Sequence, residues 1–212
     1  MSATHLLVFA KEPVAGGVKT RLAADYGAER AAAIYRDLTI VTLAHARAAR
    51  AAGIVRAIEL WCTPSPSSAW FQALARDHDA TLHAQADDAD LGARMSGAIA
   101  EALARAPQAL LVGTDCPWLD PRALAQARDA LAVHEAVLAP AEDGGFVLVG
   151  ARRPLPFGTA RWSTPHACAD VGAAFAQAGI QWATLPVSWD VDEPADFARW
   201  DAMRSAVAVA AA

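Results

Sequence analysis

His5-Leu-Leu-Val-Phe-Ala10 is apolar at every position after its first, and Lys11-Glu-Pro-Val-Ala-Gly-Gly-Val-Lys-Thr-Arg21 follows it at once. A half-exposed strand alternates apolar and polar residues. A run like this one is buried on both faces. Ala109–Gly113 (ALLVG) repeats the pattern. Val55–Cys62, Ala80–Gln85, Glu135–Pro140, Phe146–Gly150 and Gln181–Pro186 read as further strands. Between them lie helical segments. Gly27–Ala52 carries Ile34, Leu38, Val41 and Leu43 at helical spacing, and Gly53 is its stop. Pro64-Ser-Pro66 turns into a helix through Trp70, Phe71 and Leu74, and Leu91–Ala106 is another. Asp120-Pro121 opens a helix with Asp as N-cap and Pro in its first turn. Ser163-Thr-Pro165 is expected to start a helix closing near Gly179, and Asp192-Glu-Pro194 to cap the last one.

Strands alternating with helices, and apolar on both faces, predict a three-layer α/β/α fold around a mainly parallel sheet. Ligands bind such sheets at the carboxyl ends of the strands, near a switch in strand order. The loops after Ala10, Cys62, Gln85 and Gly113 therefore carry the site.

The chain has 212 residues, with no internal repeat and no linker, so residues 1–205 are expected to form one domain. The tail Ala206–Ala212 is low in complexity and is expected to fray. Hydrophobic residues make up 55%, much of it alanine, which signals helix as well as core. A net charge of −5 argues against a nucleic-acid coat but allows a small basic pocket. No stretch is long and apolar enough to span a membrane, and the first residues lack the basic and apolar regions of a signal peptide. A cytoplasmic protein is expected. Cys62, Cys116 and Cys168 read as reduced thiols. His166 and Cys168 lie two apart without the CxxC or HxxxH partners of a zinc site.

Six segments offer chemistry. Lys11, Lys19 and Arg21 surround Gly16 and Gly17 directly after the first strand, where cations and close backbone amides could grip phosphate; a solvated turn is the plain alternative. The loop is neither GxxxxGK[ST] nor GxGxxG. Asp115, in Gly113-Thr-Asp-Cys-Pro117, follows a buried strand and could hold Mg2+ or Mn2+, or cap a turn. Asp190 and Asp192 share one face of an extended segment, so one could add a second ligand; Asp192 is also a good N-cap. In Glu142-Asp-Gly-Gly145 a carboxylate could serve as base, or the segment could be a plain hairpin turn. Arg94, after the third strand, could reach a ligand or simply be solvated. Trp162, beside Ser163 and Thr164, could line an acceptor pocket.

In order, Lys11-x-Pro-x-x-Gly-x-Val-Lys-Thr-Arg-Leu22, Asp90-Leu-Gly-x-Arg-Met95, Gly113-Thr-Asp-Cys-Pro117, Asp143-Gly-Gly-Phe146, Trp162-Ser-Thr-Pro165 and Asp190-x-Asp192 resemble the bacterial GT-A-fold, nucleotide-diphospho-sugar-transferase-like family associated with arsenosugar biosynthesis. The likeness runs from about Leu6 to Phe197. It implies a Rossmann-like mixed sheet, a nucleotide-sugar donor, a small-molecule acceptor and a divalent metal, Mg2+ or Mn2+. Lys11, Gly16, Gly17, Lys19, Arg21 and Arg94 would bind the nucleotide and its phosphates. Asp115 would hold the metal with Asp192 as the better second ligand, Asp143 would be the base, and Gly144, Gly145, Trp162, Ser163 and Thr164 would meet the acceptor. The family commonly has Pro-Gly-Arg where this chain has Ala15-Gly16-Gly17, and Asp115 lacks a full Asp-x-Asp. The Lys-Thr-Arg loop and the Asp-x-Pro segment also resemble the 2-phospholactate guanylyltransferase and molybdenum-cofactor nucleotidyltransferase groups, which would use a nucleoside triphosphate and release pyrophosphate. A non-catalytic nucleotide-binding module is a third expectation. The base, sugar, acceptor, anomeric outcome and oligomeric state are not set by these residues.

Overall fold

The computed structural model describes residues 3–87, 89–158 and 160–210. Strands β1 (Thr4–Lys11), β2 (Ala57–Thr63), β3 (Thr81–Ala84), β4 (Gln108–Val112), β5 (Ala136–Pro140), β6 (Phe146–Ala151) and β7 (Trp182–Thr184) form one sheet in the order β3-β2-β1-β4-β6-β5-β7. All neighbours are parallel except β6, which runs antiparallel to both β4 and β5. The helices are α1 (Thr20–Tyr26), α2 (Ala28–Ala51), α3 (Ala69–His78), α4 (Leu91–Leu103), α5 (Pro121–Ala130), α6 (Ala167–Gln177) and α7 (Pro194–Ala210). None is long and apolar enough to cross a membrane.

The double burial of the central strands follows from their alternation, while the edge strands β3 and β7 have no buried residue. Leu6, Val8 and Ala10 of β1 face a core with Leu43 of α2, Phe71 of α3 and Leu124 of α5. Leu7, between them, faces Met95 and Ile99 of α4 and Phe175 of α6. A third cluster packs Leu22 of α1 and Ile34 of α2 against Trp189, Val191, Phe197 and Trp200. This is the expected three-layer α/β/α arrangement with a mainly parallel mixed sheet.

Strand order reverses between β1 and β4, since β1 leads outward to β2 and β3 while β4 returns on its other side. The carboxyl ends of β1, β2, β3 and β4 open onto one edge there. Because β6 is antiparallel, its amino end, just after Glu142-Asp-Gly-Gly145, reaches the same edge. Gly150 permits this insertion: a Cβ there would stand 2.6 Å from Val137 Cγ1 and 2.7 Å from Leu110 Cδ2.

Several boundaries move from their sequence positions. Asp120 does cap α5, accepting from the Ala123 amide at 2.9 Å with Pro121 in the first turn. The segment Gly27–Ala52 becomes α2, with a separate short α1 before a positive-φ Gly27. The sixth helix begins at Ala167 and not at Ser163, because Ser163 has φ +58°, outside helical backbone. Asp192 is not the cap of α7. Asp196 accepts from the amides of Asp192 (3.2 Å) and Glu193 (2.8 Å), which leaves the Asp192 carboxylate for other partners. Of the tail Ala206–Ala212, the backbone to Ala210 continues α7, and residues 211 and 212 lie outside the described residues.

One charge lies deep in the sheet. Glu59 of β2 is 2% exposed. His5 Nδ1 stands 2.6 Å from one of its oxygens, and Arg105 Nη2 (2.8 Å) and Trp61 Nε1 (3.2 Å) donate to the other. Burial pushes this carboxyl up, but the hydrogen bonds of His5 and Arg105 and the charges of Arg105 and His83 outweigh it and hold it below its ordinary 4.5. A depressed carboxyl adds stability above its unfolded value, and loses it as pH falls through the folded one. Glu59→Gln should therefore lower unfolding stability at pH 7 by about 2 kcal/mol. The gap from wild type should narrow below pH 4.5. Urea titrations at pH 7 and pH 3.5 test this, and a gap that is equal at both pH values would assign the loss to packing alone.

Candidate active site

The basic loop after β1 is held at both ends. The Lys11 amide donates to Tyr35 Oη at 2.8 Å, and the Gly17 amide donates to the Val14 carbonyl at 2.8 Å. Gly17 thus spends its N–H inside the loop, and a Cβ there would stand 3.2 Å from the Val14 carbonyl oxygen. It lines the cleft described below. Gly16 takes φ +77°. Tyr35 is 6% exposed, and burial holds its phenol up against the hydrogen bonds of Thr114 and the Lys11 backbone that lower it.

Lys19 ends the loop in left-handed backbone (φ 47°, ψ 48°), which turns its side chain inward. Its Nζ lies 2.9 Å from Asp115 Oδ2 and 3.3 Å from Asp192 Oδ1, and the side chain is 4% exposed. Burial opposes its charge, yet the attraction of Asp115 and Asp192 wins and raises its pKa above the ordinary 10.5. Asp115 responds in reverse. Burial favours its neutral form, but Lys19 and the amides of Asp115 and Thr114 hold it below 3.8. Gly113 makes room for it, since a Cβ there would stand 2.6 Å from Asp115 Oδ1.

The segment after β7 brings the other acids. Trp189 (8% exposed) and Val191 (0%) turn into the third cluster. Alternation then puts Asp190 and Asp192 on the opposite face. The Val191 amide ties this segment to the Asp115 carbonyl at 2.8 Å. Asp192 also accepts from Arg21 Nη1 at 2.9 Å. Arg21 is 57% exposed and backs Asp192 from outside rather than lining the cleft. Asp190 is pushed up to about 6 by burial, then by the charges of Asp115, Asp143 and Asp192. The carboxylates expected from the sequence therefore share one electrostatic field, and a lysine already stands between two of them.

These groups face a cleft of about 420 Å3 that includes Lys11, Lys19, Tyr35, Gln85, Arg94 and Asp115. Gln85 is 7% exposed and fixes Arg94: its Nε2 donates to the Trp61 carbonyl at 2.9 Å, and its Oε1 accepts from Arg94 Nη1 at 3.0 Å. Arg94 Nε is buried without a hydrogen-bond partner among the described residues. Reading loops by charge missed Tyr35 and Gln85. A tyrosine within the apolar stripe of α2, and a glutamine ending a buried strand, were the available signals.

A second pocket, of about 200 Å3, shares Phe9, Leu91 and Gly113 with the cleft. Asp143, Gly145, Trp162, Ser163 and Thr164 line it. Asp143 Oδ1 accepts from the Gly145 amide at 2.8 Å. Gly144 lies beside it in the hairpin with φ +85°; a Cβ there would fall 2.2 Å from the Pro165 carbonyl oxygen. Gly144 is therefore the contact that lets the Asp143 hairpin close onto the Trp162–Pro165 loop. That loop is held by Arg161, which donates to both carboxylate oxygens of Asp170 (2.9 and 2.8 Å) and keeps that carboxyl well below its usual range. Trp162 packs over Gly92 of α4, where a Cβ would meet Trp162 Cζ2 at 2.8 Å.

Among the described residues, no group of three or more His, Cys, Asp or Glu is arranged to hold a metal by protein alone. That includes the neighbourhood of His166 and Cys168. Asp115 and Asp192 offer oxygen donors of the kind magnesium and manganese take when the substrate's phosphates complete the shell. Asp190, raised first by burial and then by neighbouring carboxylates, adds a third acid beside them.

No curated protein matches the chain. Among solved structures, the chain is similar to a protein of Desulfovibrio desulfuricans G20 provisionally assigned as a nucleotide-diphospho-sugar transferase, with TM-score 0.77 and 27% identity over 91% of this chain and 84% of that one. It shares its fold with a CMP:2-keto-3-deoxy-manno-octonic acid synthetase complexed with CTP (TM-score 0.61, 13% identity, 95% and 98% covered). It shares it also with the glucosyl-3-phosphoglycerate synthase of Mycobacterium tuberculosis in complex with Mn2+, uridine diphosphate and phosphoglyceric acid (TM-score 0.56, 10% identity, 91% and 72% covered). The fold is that of the nucleotide-diphospho-sugar transferases. Residues 42–164, more than half of the chain, match the family described as uncharacterized protein conserved in bacteria (DUF2064), and the chain belongs to that family.

Proposed function

We propose that this chain is a metal-dependent glycosyltransferase that takes a nucleotide-diphospho-sugar as donor and a small molecule as acceptor. One observation carries the proposal: a cleft that sets Lys11, Lys19 and Arg94 beside Asp115 and Asp192 meets a separate pocket bearing a carboxylate at the shared wall of Phe9, Leu91 and Gly113. A donor diphosphate in the first would present its sugar toward the second. The likeness to the Desulfovibrio protein supports this class, and the manganese and uridine diphosphate in the Mycobacterium synthase support the cation and the donor type.

Asp115 and Asp192 would hold the divalent cation, which when bound would neutralise charge growing on the leaving diphosphate. Lys19 supplies a positive charge at the same place. Arg94 offers a buried Nε without a partner, and Lys11 lies at the cleft mouth. Both can take phosphate oxygens. Arg21 keeps Asp192 in place. Asp143 accepts the proton of the acceptor hydroxyl. The hydroxyl oxygen then bonds to the anomeric carbon, the bond from that carbon to the diphosphate oxygen breaks, and the nucleoside diphosphate leaves with the electron pair.

Calorimetry with the common nucleoside diphosphates tests the donor half. Wild type should bind at least one, more tightly with Mn2+, and Asp115→Ala should lose the manganese-dependent gain. Equal affinity in the variant would sink the assignment of Asp115. Release of pyrophosphate from a nucleoside triphosphate, with no glycosyl transfer from any nucleotide-sugar, would move the chain to nucleotidyl transfer.

Lys19→Met separates the lysine's two roles. It should weaken nucleoside diphosphate binding about tenfold, a little over 1 kcal/mol. It should also lower the melting temperature, because Asp115 and Asp192 lose their common counterion. Mn2+ should raise the melting temperature of the variant by more than that of wild type. A diphosphate affinity that does not change would remove Lys19 from the phosphate site.

A further inference from the structure

The second pocket is built for a different kind of molecule from the one the cleft takes. Its walls are hydrocarbon: Phe9, Met95, Leu111, Phe146, Leu148 and Trp162. Four of the lining side chains carry polar groups, Asp143, Trp162, Ser163 and Thr164, and two of these are already engaged. Thr164 Oγ1 donates to the Arg161 carbonyl at 2.7 Å and accepts from the His166 amide at 3.3 Å. Asp143 Oδ1 accepts from the Gly145 amide. Among the described residues this leaves Asp143 Oδ2, the Ser163 hydroxyl and the Trp162 indole N–H for a ligand.

A sugar or polyol acceptor carries a hydroxyl on nearly every carbon. Each one buried against Leu, Met or Phe without a partner weakens binding, because it loses water and gains nothing. An apolar body with one hydroxyl loses nothing of that kind. The size also points this way. The pocket measures about 200 Å3, and an apolar cavity of about 150 Å3 lined by Leu, Ile and Phe takes benzene. Aromatic faces on Phe9, Phe146 and Trp162 suit an aromatic ring.

We infer that the acceptor is an apolar alcohol, with one hydroxyl on a hydrocarbon body about the size of a substituted benzene ring. Its hydroxyl lies at Asp143 Oδ2 and its body among Met95, Leu111, Phe146 and Trp162. This deepens the transferase proposal and rests on it for the meaning of the pocket. The reaction balances as before: the alcohol proton passes to Asp143, the alcohol oxygen bonds to the anomeric carbon, and the nucleoside diphosphate departs.

Benzyl alcohol is the probe. Its binding is followed by ligand-observed NMR on the protein alone and again with a nucleoside diphosphate and Mn2+, with glucose and glycerol as competitors. Benzyl alcohol should bind saturably, and neither polyol should displace it. Ala167→Leu, which fills the pocket from α6, should weaken benzyl alcohol at least tenfold. Met95→Ala, which widens the pocket, should admit 2-naphthylmethanol, which wild type excludes. These two variants act in opposite directions, so a folding defect in one leaves the other decisive. Absence of saturable benzyl alcohol binding, or its displacement by glucose, overturns the inference. If nucleoside diphosphates bind and the alcohol does not, only the acceptor class falls. If the alcohol binds and no nucleoside diphosphate does, the donor reading falls and the pocket stands.

Discussion

An ammonium group withdrawn from water is destabilising by several kcal/mol unless carboxylates receive it. Lys19 is 4% exposed and has two. These contacts join residues 96 and 173 positions apart in sequence. They bind the loop after β1, the loop after β4 and the segment after β7 into one edge. Everything else at the site is arranged around this junction. Left-handed backbone at Lys19 aims the side chain, Gly113 leaves space for Asp115, and Trp189 and Val191 anchor the strip that presents Asp190 and Asp192. Arg21 closes the outside of Asp192 without entering the cleft. The junction is also poised in charge. Three carboxylates, Asp115, Asp190 and Asp192, act on one buried lysine, and Asp190 rises to about 6 through burial and then through the charges of Asp115, Asp143 and Asp192. Such a surplus favours a second cation, and a phosphate-bearing ligand would bring one with it.

Much of this was legible in the amino-acid order for a definite reason. Runs such as Leu6–Ala10 and Ala109–Val112 have no polar face, so they could only be central strands. Central parallel strands put their following loops at one edge. Asp115, Asp143, Lys19 and Arg94 all fall in or just beyond such loops. What the order did not carry was strand placement. The short connection at Glu142–Gly145 allows Phe146–Gly150 to return antiparallel to β5, but nothing in it showed that β6 inserts between β4 and β5. That insertion sets the amino end of β6 beside β4, with Gly145 and Phe146 at the carboxyl edge.

Pairing was the other thing hidden. Asp192 stands before Glu193-Pro194 as an N-cap would, and the helix would accept it there. Asp196 takes the amides instead, since Lys19 and Arg21 offer Asp192 stronger, charged partners. Ser163-Thr-Pro165 looks like a helix start for the same local reasons. Ser163 goes left-handed, and the segment stays a loop along the pocket, clamped at one end by Arg161 on Asp170 and met at the other by the Gly144 hairpin. Glu59 had no signal at all, because its partners His5, His83 and Arg105 lie on three separate elements. In each case local propensity lost to a charge or a close approach supplied from far along the chain.

The two compartments also differ in what holds them. The cleft is kept by charges that a ligand can exchange: the lysine between two carboxylates and an arginine with one nitrogen unpaired. The pocket is kept by steric fits that nothing can exchange. Gly92 sits under Trp162, Gly144 against Pro165, and the walls belong to the same core that packs α4 on the sheet. A ligand in the cleft would compete for these charges, whereas a ligand in the pocket would meet walls packed into the core. Because Phe9, Leu91 and Gly113 belong to both, in the proposed transfer a group at the seam would touch both compartments at once. This is the division a transfer reaction calls for: adjustable electrostatics where charge develops, and a rigid wall where the acceptor must be aimed.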